Sequence, residues 1–157
     1  MPWYNAYRFL LQNISKYETR MGKNFRFAEQ METLFEHYNV TDKWIQSALQ
    51  TLIRNVRKEQ GEFKLYNVVP PLIKFLENLT NWYVRLNRNR IKGEVDDINM
   101  EVSINVLFDV LFKVNVLMSP VVPYITDMMY QNMRLVLSPE SKLLEQSIHH
   151  LFIPEVN

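Results

Sequence analysis

The chain contains no cysteine, which excludes a disulfide framework and a cysteine-ligated zinc site and is compatible with a reducing compartment. Glycine is scarce. Gly22, Gly61 and Gly93 stand far apart, so a Gly-rich phosphate loop cannot be built, and neither a Gly-x-Ser-x-Gly elbow nor a His-Glu-x-x-His helix occurs. The longest apolar stretch, from Ile104 to Met118, is broken by Asn105, Asp109, Lys113 and Asn115, which argues against a bilayer span. The opening Trp3-Tyr4-Asn5 lacks the basic-then-apolar pattern of a secretory signal, and without that route the sequons at Asn13, Asn39 and Asn78 carry no weight. Net charge is +1, so no global field draws a polyanion and any such site must be local. Catalytic chemistry is equally thin. Adjacent His149 and His150 cannot point the same way in an extended chain, and no carboxylate-rich helix completes a metal shell for them or for His37. Acids at Asp96 and Asp97 suit a helix start, and Met128, Met129 and Met133 suit a core stripe. The expectation is no catalytic residue, no metal and no cofactor.

What is present is a globular composition, 47% hydrophobic and 22% charged, in 157 residues. That length suffices for one core without a staple, and a single domain over 1–157 is expected. Apolar residues recur at helical spacing in five places. Trp3, Tyr7, Leu10, Leu11 and Ile14 define a first helix that Gly22 breaks. Thr41 reads as the N-cap of a second, with Asp42 in its first turn and Trp44, Ile45, Leu49, Leu52 and Val56 following, ending near Gly61. Pro70 and Pro71 open a third, predicted to run from about Pro71 to Asn89 with Leu72, Phe75, Leu76, Leu79, Tyr83 and Leu86 inside. The fourth follows Glu94, Asp96 and Asp97 and carries an apolar face from Val102 to Met118 wide enough for the centre of a bundle. The fifth spans about Pro123 to Leu137 on Ile125, Met128, Met129, Asn132 and Val136. Between the first two, Lys23 to Asn39 is mixed, with a short helix over Ala28 to Tyr38 possible. The last fifteen or so residues are expected to lie extended along the bundle as a docked tail. No strand period persists, so the fold class is all-α, an antiparallel helical bundle of about five helices.

Charge concentrates in one place. From Pro71 to Lys92 the chain carries Lys74, Arg85, Arg88, Arg90 and Lys92 against the single acid Glu77. On the third helix, Lys74, Asn78, Asn81, Arg85 and Arg88 form an outward stripe about 20 Å long. Trp82 and Tyr83 lie beside it. Aromatic faces stack on unpaired bases and guanidinium groups neutralise phosphates, so this mixture suits a looped RNA. A second reading is a helical protein-protein interaction module with no RNA role, docking through Trp44, Ile45 and Leu49 with Phe25 and Phe27.

Four segments carry a family resemblance: PWYNAYRFLLQN at Pro2 to Asn13, LTNWYVRLNRNRIKG at Leu79 to Gly93, LMSPVVPYITDMMYQN at Leu117 to Asn132, and SIHHLFIP at Ser147 to Pro154. Together, in this order, they resemble the anticodon-binding domain of isoleucyl-tRNA synthetases of the eukaryotic cytoplasmic or archaeal type, over nearly the whole chain. The first segment is common to the valyl, leucyl and methionyl relatives, whereas Arg85, Arg88, Arg90 and Lys92 after Trp82-Tyr83 resemble the isoleucyl pattern. The resemblance implies a fragment of a larger cytoplasmic enzyme. Its catalytic domain, with the HIGH and KMSKS signatures absent here, would use ATP and Mg and would be a partner on the same polypeptide; the fragment itself would be catalytically inactive. The partner implied is the anticodon stem-loop of tRNA-Ile, with no membrane, while a place in a multi-synthetase assembly stays open. By the same resemblance the asparagine-x-x-arginine motif of the first helix falls on Asn5 and Arg8, the base-facing tryptophan on Trp82, and the tRNA-binding set is Asn5, Arg8, Asn81, Trp82, Arg85, Arg88, Arg90 and Lys92.

Overall fold

The computed structural model describes residues 2–156. Helix α1 runs Pro2–Met21, α2 Val40–Gly61, α3 Val69–Asn78, α4 Arg88–Ile91, α5 Asp97–Met118 and α6 Pro123–Met133. Among the described residues there is no strand.

Helix α5 is the axis. It packs against α1, α2, α4 and α6, and from Val102 to Phe112 every residue is buried. So many β-branched residues give weak helix propensity, and burial on all sides supplies the stability instead. Polar side chains inside α5 are hydrogen-bonded: the Asn105 side chain accepts from the Ala28 N–H at 2.8 Å, and Asn115 donates to the Thr126 carbonyl at 2.8 Å. The helix is capped by Asp96, which accepts from the Asn99 N–H at 2.6 Å; that bond, then the Asn99 side chain, holds the Asp96 carboxyl below its ordinary value.

Three of the expected helices need correction. The α2 N-cap is Asn39 rather than Thr41, because Asn39 and Asp42 exchange a reciprocal capping box that Thr41 could not form with an acid at the next position. The third helix starts at Val69, passes through a π-helical turn over Leu79–Val84, and halts at Asn87 before the separate short α4. In consequence Leu86 is 65% exposed, although α-helical spacing predicts it inside, and Asn87 is buried in its stead. The fifth helix ends at Met133 and continues as a 3-10 turn, Arg134–Val136. Its buried residues are Thr126, Met129, Tyr130 and Met133, one position round from the predicted stripe, because the Tyr130 hydroxyl is drawn inward to the tail's Leu143 carbonyl at 2.8 Å.

The open region Lys23 to Asn39 forms a 3-10 helix, Met31–His37, preceded by an extended strap. Phe25 and Phe27 are buried, and the Phe27 ring lies 4.5 Å from Phe108 between centroids. Arg26 donates to the Leu135 and Leu137 carbonyls, fixing the strap to the chain beyond α6. The tail is held by Asp127, which accepts from Ser147 and the Ile148 N–H, and by Arg57, which donates to the Ile153 and Pro154 carbonyls.

Candidate nucleic-acid interface

The first turns of α1 lie beside the π turn, and the groove between them, about 370 Å3 in volume, gathers residues far apart in the chain. Asn5, Asn81, Arg85 and Arg88, with Thr80, supply its polar lining, and Pro2, Ala6, Phe9 and Val84 the apolar part. Four of the eight residues singled out by resemblance therefore share one concavity. Trp82 stands 60% exposed next to Asn81, and Arg8 is exposed on α1, both outside the groove lining. Among the described residues, none of the side chains of Asn5, Arg8, Asn81, Trp82, Arg85 and Arg88 is hydrogen-bonded, ion-paired or stacked. The groove thus presents two amides and two guanidinium groups together, with the Trp82 indole exposed next to Asn81, which is the chemistry of stacking on bases and pairing with phosphate.

Arg90 and Lys92 behave differently. Arg90 does not belong to the surface set: its side chain is buried and its Nη1 lies 2.5 Å from the fully buried carboxylate of Asp42. Its Nε donates to Asn99 at 2.7 Å and its Nη2 to the His37 carbonyl at 3.2 Å. A spacing of two residues from Arg88 on a helix turns a side chain to the far side, and the buried acid draws it in. Lys92 is half-buried, and its carbonyl accepts from Lys16 at 2.7 Å.

Behind the groove the inner face is polar. The Tyr83 hydroxyl donates to Asp42 Oδ1 at 2.7 Å, and burial first, then the charge of Asp42, pushes its pKa well above the ordinary tyrosine value. Asn87 donates to the Thr41 hydroxyl at 2.8 Å and accepts from the Asn39 side chain at 2.9 Å. Sequence reasoning missed this cluster, although one signal was available: Asp42 precedes Ile45 and Leu49 by three and seven residues, which puts a lone acid on the apolar face of α2.

The reading as a protein-docking module does not survive the geometry. Phe25, Phe27, Ile45 and Leu49 are buried in the bundle's own core, which leaves Trp44, 40% exposed, as the accessible member of that group. No helix among the described residues is long and apolar enough to cross a membrane, and among them no three His, Cys, Asp or Glu side chains are grouped to hold a metal.

The family model described as anticodon-binding domain of tRNA ligase matches residues 42–157. The chain is 52% identical over 155 residues to the isoleucine-tRNA ligase of Tetrahymena thermophila, covering 98% of the chain and 14% of that protein. It is 41% identical to the cytoplasmic isoleucine-tRNA ligase of Mus musculus (99% of the chain, 12% of that protein) and 44% identical to that of Arabidopsis thaliana (98% and 12%). The chain thus spans about an eighth of the length of these relatives.

Proposed function

The chain belongs to the anticodon-binding domain family of tRNA ligases, and from that premise we propose that it grips the anticodon stem-loop of an isoleucine tRNA as one part of a cytoplasmic isoleucine-tRNA ligase. The observation that carries the reading is the groove between α1 and the π turn, where Asn5, Asn81, Arg85 and Arg88 converge without side-chain partners among the described residues. Asparagine side chains offer a paired donor and acceptor for a base edge, and the two arginines meet the phosphates on either side of it. Trp82 provides the stacking face. Arg90 is left out of the binding set because its side chain is buried against Asp42, and Lys92 does not line the groove.

Activation of isoleucine with ATP and Mg, and transfer to the tRNA, belong on this reading to the remainder of the ligase, which joins this domain in a single polypeptide. Isoleucine anticodons carry A and U at their second and third positions, so a base-reading domain must sense those two and reject methionine's CAU at the first.

The test is titration of the chain with an isoleucine anticodon stem-loop and with anticodon-swapped loops at fixed salt. The expected result is modest affinity, a preference for the isoleucine loop, and a log-log salt slope of about −2 to −3 for about three phosphates. Trp82→Ala should cost about 1–3 kcal/mol of stacking and remove the preference. Equal binding of all loops by the unaltered chain would defeat the reading.

A further inference from the structure

Beyond its lining residues the groove continues as a seam. On α1, Asn5, Phe9, Gln12 and Lys16 follow one another by three or four residues and so share one face, which runs about 16 Å from Asn5 to Lys16. On the other wall Arg88 lines the groove, and Lys92, four residues on across the short α4, lies on the same side. The two walls meet where Lys16 Nζ donates to the Lys92 carbonyl at 2.7 Å. An ammonium carries three donors, so the exposed Lys16 keeps two for a ligand. Among the described residues neither Lys16 nor Lys92 is ion-paired. One turn further, Arg20 is paired with Asp97 at 2.6 Å and donates to the Gly93 carbonyl at 2.6 Å, so the unpaired positive charge on this face of α1 stops at Lys16. Toward the opposite end of the groove, the charges that precede Asn81 on its face are Lys74 and Glu77, both exposed, which offset one another. A polyanion lying in the groove thus meets uncompensated positive charge on one side only.

We infer that the RNA strand leaving the groove follows this seam toward Gly93, and that Lys16 is the residue that meets its phosphate after Arg85 and Arg88. RNA fits the seam better than an acidic protein segment does, because the seam is continuous with the amides of Asn5 and Asn81 and with the exposed Trp82 indole, groups suited to bases. The inference rests on the anticodon-binding reading and adds to it a direction of exit and a cation that the resemblance did not single out. With the two groove arginines, Lys16 brings the phosphate contacts to the number of about three behind the expected salt slope.

The experiment titrates the unaltered chain, Lys16→Gln and Lys16→Arg with isoleucine and anticodon-swapped stem-loops over a series of salt concentrations, and then with the loop sequence alone as a single strand lacking its stem. Glutamine can still donate to the Lys92 carbonyl but carries no charge. Lys16→Gln should weaken every stem-loop alike, several-fold at low salt, bring the log-log slope closer to zero by about 0.7 to 0.9, and leave the preference for the isoleucine loop intact. Lys16→Arg should keep the original slope. On the stemless strand Lys16→Gln should bind as the unaltered chain does, because the part of the RNA that follows the seam is missing. An equal loss on both probes, the mark of a general change in charge, would overturn the exit path. So would an unchanged slope, with or without a lowered melting midpoint, the latter making Lys16 a structural residue. If the unaltered chain prefers the isoleucine loop while Lys16→Gln matches it on every probe, the exit path alone falls; if the unaltered chain shows no preference, the anticodon reading falls and the exit path with it.

Discussion

Helix α5 and the helical run from Val69 to Ile91 are nearly equal in length and are solved in opposite ways. Around α5 the interior is mostly apolar, with Ser103, Asn105, Asp109 and Asn115 as buried polar exceptions among some thirteen apolar residues, and shape and area dominate the helix phase. Along Val69–Ile91 the interior turns polar halfway, from Leu72, Phe75 and Leu76 to Tyr83, Asn87 and Arg90. There directional hydrogen bonds set the phase, even at the cost of an underwound turn and an exposed leucine. Contact area tolerates small rotations, whereas a buried carboxylate does not.

The largest expected effect tests the polar half. Arg90→Met should lose about 3–5 kcal/mol of stability in denaturant unfolding, because it leaves the Asp42 carboxylate buried without its cation. Arg88→Ala, two residues away and exposed, should stay within about 0.5 kcal/mol. If the two matched, the contrast between an inward and an outward arginine would be gone. In the apolar half, Leu111→Ala should cost about 2–5 kcal/mol through the cavity left in α5, and a loss under about 1 kcal/mol would remove α5 from the centre.

A smaller effect lies in alkaline solution. Tyr83 has its folded pKa raised above the unfolded value of about 10, so above that pH the unfolded chain releases a proton that the folded chain retains. Stability conferred by the neutral phenol is complete below pH 10 or so and falls as pH rises further. Tyr17 and Tyr38 are shifted in the same direction and add to the slope. Tyr83→Phe should flatten part of the decline in midpoint between about pH 10 and 11, and an unaltered slope would place Tyr83 outside the effect.

The same contrast explains what the amino-acid order made legible. The first helix and α5 follow from apolar spacing, since burial alone decides them. The outward positions of Asn81, Trp82, Arg85 and Arg88 follow too, because α-helical and slightly underwound spacing agree over so short a distance. Leu86 and Arg90 do not follow: spacing sees an apolar residue and a cation, and only a partner some fifty residues away decides which one turns inward. Asn39 as a cap, and the one-position rotation of α6, depend likewise on a partner side chain or on the tail. The 3-10 helix Met31–His37 has no buried residue of its own, hence no stripe for a periodicity to detect.

The strap from Phe25 to Ala28 has a temporal consequence. Its backbone is tied to Val136 and to the side chain of Asn105, and Arg26 to carbonyls more than one hundred residues further on. Helical proteins built from neighbouring contacts assemble quickly, but these ties close very long loops. During synthesis the strap is made before α5 and the turn after α6, so the Phe27 ring waits for Phe108 and the strap's backbone ties wait for Asn105 and Val136. The strap is therefore made well before it can be fully seated, and a nascent chain that pauses before residue 135 lacks the carbonyls that Arg26 and the Phe27 N–H hold.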